Sequence, residues 1–136
     1  MITEWDIRVR STDIDGDGIV NNARYFEFFE QARLEHMTRL ELIRPLRPEV
    51  AERRHFTIAE TTCRYKMPLR YRDWIRVRCW FSEVRNRSFV LTYEILMRDS
   101  STLVAEGTSV QVWLNSEGRP DRLPEDLHPR LLAAVQ

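Results

Sequence analysis

The stretch that decides the reading of this chain is Asp13-Ile14-Asp15-Gly16-Asp17-Gly18-Ile19-Val20-Asn21-Asn22-Ala23-Arg24-Tyr25. It joins two segments of different period. Before it, Trp5, Ile7 and Val9 alternate with Glu4, Asp6, Arg8 and Arg10, which predicts a half-buried strand over residues 4–10. After it, Tyr25, Phe29, Ala32, His36, Leu40 and Ile43 fall on one helical stripe, with Phe26 and Met37 beside it and Glu27, Gln31, Thr38 and Glu41 opposite. That pattern predicts a helix of about Asn22 to Ile43, capped by Asn21 or Asn22 and stopped by Pro45 and Pro48. The quoted residues are therefore a strand-to-helix loop. Its Gly16 and Gly18 permit unusual backbone angles and close approach by a ligand.

Two chemistries compete for this loop. In a calcium loop of the EF-hand type, Asp13, Asp15 and Asp17 would supply oxygens at positions 1, 3 and 5, with Gly18 at 6 and Val20 at 8. Position 12, where a bidentate carboxylate should close the site, is Arg24, and the entering segment alternates as a strand instead of a helix. In the second chemistry, the loop presents an exposed carboxylate beside a helix N-terminus, whose free N–H groups and positive dipole end favour developing negative charge. A carboxylate beside an oxyanion-binding amide suits acyl-transfer hydrolysis. A plainer role stands beside both: Asp15 next to glycine is a common turn-former.

Working outward, the rest of the chain is strand-like. Candidate strands are Phe56–Tyr65, Ile75–Phe81, Phe89–Met97 and Val104–Leu114, joined by short connections that predict an antiparallel meander. The tail after Asn115 reads as a turn, an extended segment and a short helix at 124–134. One long helix with an apolar stripe and five strands make an α+β chain, most economically an antiparallel sheet wrapped around the helix. Its 136 residues suggest a single domain over 1–136.

Lys+Arg and Asp+Glu both total 21, a zero balance that argues against a dedicated nucleic-acid or membrane-surface binder. No apolar run approaches the ~18 residues of a membrane span. The charged start, with Glu4, Asp6, Arg8 and Arg10, has no secretory core, so a cytoplasmic location is expected. Cys63 and Cys79 match no metal-knuckle or redox spacing and read as two reduced thiols. Positive charge gathers between Arg64 and Arg87, where Arg64, Lys66, Arg70, Arg72, Arg76, Arg78, Arg85 and Arg87 face only Asp73 and Glu83.

The run Asp13-Ile14-Asp15 through Gly18-Ile19-Val20-Asn21-Asn22-Ala23-Arg24-Tyr25, followed by Phe28-Phe29-Glu30-Gln31-Ala32-Arg33, closely resembles the 4-hydroxybenzoyl-CoA and acyl-CoA thioesterase family. That family's pattern is D-x-D-x-x-G-[hydrophobic or H]-V-x-x-x-x-Y followed by an E-x-A-R helix. The later strands resemble it more weakly, and Gly118-Arg119-Pro120 with Arg122-Leu123-Pro124 is similar to its tail. The resemblance implies a hot-dog fold, in which a long central helix is wrapped by a five-stranded antiparallel sheet. It also implies assembly as homodimers or homotetramers with active sites at subunit interfaces, an acyl-CoA substrate, and neither cofactor nor metal. Asp15 becomes the catalytic carboxylate, as nucleophile or general base, and the backbone amide at or near Asn22 polarises the thioester carbonyl. Gly18, Ile19, Val20 and Tyr25 are candidate substrate contacts, and Glu60 on the second strand is another.

The chain departs from the family pattern at Asp17, which replaces a commonly small residue, and at Asn22, where relatives often carry His or Tyr. The Asn-Asn-Ala-Arg-Tyr form occurs in fatty-acyl thioesterases of the same fold. Asp13 is expected to be structural, His36 to be a core or interface histidine, and Glu30 with Arg33 to form a helix-surface or interface pair. Hot-dog hydratases place a histidine near the entry of the helix, and His36 comes too late for that. The 64–87 basic run either binds CoA phosphates or is a solvated face. Binding of acyl-CoA without hydrolysis is the alternative function.

Overall fold

The computed structural model describes residues 1–42 and 56–136. The elements are β1 (Thr3–Arg8), α1 (Arg24–Arg39), β2 (Phe56–Tyr65), β3 (Trp74–Val84), β4 (Ser88–Met97), β5 (Leu103–Trp113) and α2 (Leu127–Ala133). The strands form one antiparallel sheet in the order β1-β3-β4-β5-β2. The short β3–β4 and β4–β5 connections dictate the central meander. Leaving β1 at one edge and entering β2 at the other, the chain lays α1 across the sheet's face, which is the hot-dog arrangement. Among the described residues, no helix is long and apolar enough to cross a membrane.

Alternation along the strands builds the core. Ile75, Val77, Cys79 and Phe81 of β3 and Leu91, Tyr93 and Ile95 of β4 are all fully buried toward α1. The helix answers with Tyr25, Phe28, Phe29, Ala32, His36 and Met37. Phe28 joins the buried face, whereas Phe26, expected beside the stripe, is 37% exposed. The contact between helix and sheet turns on Gly107. A Cβ there would collide with the Thr62 carbonyl and lie 2.6 Å from a ring carbon of Phe29. Because that space is empty, the Phe29 ring settles onto β5 and stacks on Tyr93 at 4.5 Å and 16°.

Helix α1 is shorter than its hydrophobic period predicts. At its start, Asn21 spends its side chain on a turn: its Oδ1 accepts the Ala23 N–H at 2.9 Å, and its carbonyl accepts the Arg24 N–H. Helical geometry therefore begins at Arg24 instead of Asn22. At the other end, Glu41 takes a left-handed φ of 57° and Leu42 donates its N–H back to the Met37 carbonyl at 2.9 Å. Such a reversal closes a helix without proline. Ile43, Pro45 and Pro48, expected to end it, lie outside the described residues. The tail helix is likewise shorter than expected, Leu127–Ala133, after Leu123 has tied its N–H to the Asn86 carbonyl at 2.9 Å.

Candidate active site

The Asp-Gly loop closes as a hairpin. One 3-10 turn, Ser11–Asp13, follows β1, after which Ile14 bridges Val20. Asp15 donates its N–H to the Ile19 carbonyl at 3.0 Å, and Gly18 donates to the Asp15 carbonyl at 3.1 Å. Gly18 has φ 79°, the left-handed conformation that lets three residues reverse an antiparallel pair.

Asp13 and Asp15, two residues apart, have different fates. Asp13 is 1% exposed, and its carboxylate accepts the Arg10 backbone N–H at 2.8 Å and the Arg10 guanidinium at 3.1 Å. Its carbonyl also takes the Asn21 N–H, so Asp13 fastens the base of the hairpin. With its oxygens committed to a guanidinium, it is not placed to share a cation with Asp15 and Asp17, which removes the first ligand of the calcium reading. Asp15 stands exposed. Its Oδ1 accepts the Asp17 N–H at 2.9 Å, the turn-forming bond. Its Oδ2 has no hydrogen-bond partner among the described residues. One oxygen thus holds the carboxylate's orientation while the other keeps its lone pairs.

The helix start lies on the same hairpin, with the Asp13–Asn21 hydrogen bond between Asp15 on the turn side and Asn22 on the helix side. The Asn22 N–H finds no acceptor among the described residues. Its carbonyl accepts the Tyr65 hydroxyl at 2.9 Å, and the Tyr65 ring meets Tyr25 edge-on at 4.8 Å. Burial pushes the Tyr65 phenol up to about 12, so it stays protonated and donating. β2 therefore pins the first turn of the helix from the opposite edge of the sheet. Tyr65 was not singled out from the sequence, because an aromatic at a strand end carries no spacing signal.

The other expected site residues are dispersed. Gly18 is exposed and Ile19 half-buried at the hairpin tip. Val20 and Tyr25 are core residues at 1% and 2% exposure, the former held by its N–H on the Leu69 carbonyl at 2.9 Å. Glu60 is exposed and pairs with Val110, on the sheet face turned away from α1, and the protomer does not bring it to the hairpin. Glu30 and Arg33 form no ion pair. Arg33 instead turns inward and donates to the Tyr93 hydroxyl at 3.2 Å, which sits 2.6 Å from Ser109 Oγ, itself bonded to buried Gln111. His36 is fully buried, with Nδ1 2.7 Å from the Thr3 hydroxyl and its ring against Phe81 at 4.7 Å, which makes it a core residue. Cys79 is buried and its thiol is pushed up to about 12; burial also raises Cys63, so neither is activated.

Two cavities stand out among the described residues, and neither touches the hairpin. A cleft of about 380 Å³ lies beside the β3–β4 turn, lined by Asn86, Arg122, Leu123, Glu125, His128 and Pro129. A cavity of about 20 Å³ lies at the C-terminal end of α1, walled by apolar side chains including Met37, Phe89 and Leu131. Asp15 and Asn22 are both exposed and line neither cavity.

Comparison with known proteins gives the family. A sequence profile of the thioesterase-like superfamily matches residues 9–131. The acyl-CoA thioester hydrolase YbgC of Escherichia coli is 29% identical over 129 residues, covering 90% of each chain. Among solved structures, a predicted thioesterase from Bacillus stearothermophilus superposes with a TM-score of 0.84 at 25% identity, covering 100% of this chain and 98% of the other. A Thermus thermophilus thioesterase complexed with coenzyme A and Zn superposes with a TM-score of 0.80 at 27% identity, covering 97% and 93%.

Proposed function

This chain belongs to the thioesterase-like superfamily, and from that premise we propose that it hydrolyses an acyl-CoA thioester to free acid and CoA, using Asp15 and the amide of Asn22. The observation that carries the reading is the pairing on one hairpin of a carboxylate oxygen without a partner and a helix-entry N–H without an acceptor among the described residues.

In this mechanism the thioester carbonyl oxygen accepts the Asn22 N–H, and Asp15 Oδ2 faces the carbonyl carbon. Either Oδ2 bonds to that carbon and expels CoA thiolate, leaving an acyl–aspartyl anhydride that water then opens, or Oδ2 takes a proton from a water that attacks directly. The thiolate is a good leaving group, so no strong general acid is needed. One oxyanion donor of this kind is worth about 10²–10³ in rate. The turn bond from Asp17 fixes the plane of the carboxylate, and Asp13 fixes the hairpin beneath it.

The same reading includes assembly as a homodimer or homotetramer. Two observations support it: Asp15 and Asn22 are exposed and line neither cavity, and the ten-residue strand β2 leaves one edge unpaired among the described residues. Light scattering in solution should give a mass of two or four chains; a monomer that is fully active contradicts this part.

The test is thiol release across acyl-CoAs of different chain length and aryl acyl groups. The unaltered chain should turn over at least one of them, and Asp15→Asn should lose at least about 10²-fold in kcat/KM. Unchanged turnover in Asp15→Asn refutes the assignment.

A further inference from the structure

The positive run between Arg64 and Arg87 does not act as a single surface. Arg76 is bound to Asp6 at 2.8 Å and Arg78 to Glu94 at 3.0 Å, on the sheet face opposite α1. Arg85 pairs with Glu83 at 3.0 Å, and Lys66 with Glu106 at 3.7 Å. Arg87 lies at the β3–β4 end, beside Asn86. Arg64 and Arg87 also lack a carboxylate partner among the described residues, but within this run only the turn between β2 and β3 sets two such arginines on either side of an exposed aromatic ring. Arg70 and Arg72 have no carboxylate partner among the described residues, and both are exposed. Asp73, the one acid in this turn, is occupied by the backbone N–H of Arg70 at 2.8 Å.

Three features mark this turn as more than a solvated loop. Tyr71 between the two arginines is 53% exposed, the most exposed of the large hydrophobic and aromatic side chains among the described residues. Arg72 holds a left-handed φ of 71°, a conformation that a bulky side chain adopts only under constraint, and its guanidinium lies 5.3 Å from the Tyr71 ring centre. The turn is also fastened to the catalytic hairpin. Leu69 accepts the Val20 N–H at 2.9 Å, Arg72 donates to the Val9 carbonyl at 3.3 Å, and Asp73 accepts the Val9 N–H at 2.9 Å. Beside it, Arg8, also without a carboxylate partner among the described residues, lies over Trp74 at 5.6 Å.

We propose that Arg70-Tyr71-Arg72 is the subsite for the adenosine-phosphate end of coenzyme A, with Tyr71 stacking on the base and Arg70 and Arg72 engaging the phosphates. The inference rests on the thioesterase reading and names the carrier it acts on. Guanidinium groups suit phosphate oxygens, and an exposed aromatic ring offers a face to a purine. An acidic carrier protein would also be drawn to free arginines, but the exposed ring between them favours a nucleotide.

The test uses the full chain and adenosine 3′,5′-bisphosphate as probe, followed by calorimetry, together with hydrolysis of an acyl-CoA and of the same acyl group on pantetheine. The unaltered chain should bind the bisphosphate. The double substitution Arg70→Ala with Arg72→Gly should weaken that binding about tenfold and raise KM for acyl-CoA about tenfold, without moving KM for the acyl-pantetheine. Tyr71→Leu should weaken binding, and Tyr71→Phe should restore it. No binding by the unaltered chain, equal binding by the double variant, or equal rises in KM on both substrates would each overturn the subsite. So would a loss seen only with an acyl-carrier-protein substrate. If no thioester is hydrolysed at all, the catalytic reading fails, and the titration still decides whether the turn holds a nucleotide.

Discussion

At the scale of single residues, the hairpin buries one aspartate and leaves the other exposed. Asp13 is buried and satisfied by Arg10, so Asp13→Ala removes the shared acceptor of the Arg10 backbone N–H and guanidinium and empties a buried site. It should cost about 2 kcal/mol in urea denaturation. Asp15→Asn keeps an oxygen for the Asp17 N–H, and its stability should stay within about 0.5 kcal/mol of the parent. An Asp15→Asn protein that is destabilised as much as Asp13→Ala would make Asp15 a structural residue. Arg72 presents the opposite trade. Glycine tolerates φ 71° without strain, so Arg72→Gly should raise stability by about 1 kcal/mol, read as an upward shift in Tm. Arginine at a site where glycine is the better fit is what a functional constraint on that side chain would produce.

At the scale of elements, the central helix and its supports make two measurable statements. Gly107→Ala would drive a methyl group into Phe29 and the Thr62 carbonyl, and should cost about 2–3 kcal/mol as α1 lifts from the sheet. His36 gives the fold a pH dependence. Burial first, then the nearby positive charges of the chain's amine and Arg39, hold its imidazole down to about 4 from an ordinary 6.5. Below pH 6.5 the unfolded chain takes up a proton that the folded chain refuses until about pH 4. Stability present above that window should therefore fall by up to about 3 kcal/mol as pH drops through it, seen as a declining denaturation midpoint. A midpoint flat from about pH 7 to 4 would mean that the imidazole is solvated.

The elements also mark where the sequence was and was not legible. The alternation of Ile75, Val77, Cys79 and Phe81 and the stripe from Tyr25 to His36 reported burial directly, because each period has one physical cause. The ends of α1 were not legible, since Asn21 could cap a helix or close a turn, and a left-handed Glu41 leaves no compositional mark. Gly107 was passed over for a similar reason: its role exists only once Phe29 lies across it.

At the scale of the whole molecule, the sheet carries its polar and apolar work on separate faces. Toward α1 lies the core; on the opposite face Arg76 and Arg78 are neutralised by Asp6, Glu4 and Glu94. That division explains why the strand arginines Arg76 and Arg78 are paired across the outer face, while Arg70 and Arg72 in the turn are not. It also explains why Glu60, on the outer face of the sheet, lies apart from the hairpin. The loop motif was local, so the proposed pair Asp15 and Asn22 could be named from one short run of consecutive residues. Glu60 depended on which face of an edge strand it occupied, and a bulge between Ile58 and Glu60 shifts the register on which that inference rests. The assembly proposed above is a property that no single-chain periodicity encodes.

The central claim is that Asp15 and the Asn22 amide act on the same carbonyl. A crystal structure of the protein with a ketone analogue of acyl-CoA, in which a methylene group replaces the hydrolysable sulfur linkage, tests it directly. The account predicts the ketone oxygen about 3 Å from the Asn22 nitrogen and the carbonyl carbon within about 3.5 Å of Asp15 Oδ2 or of a water bound to it. A ketone seated away from the hairpin, or bound with Asp15 turned from it, would contradict the account.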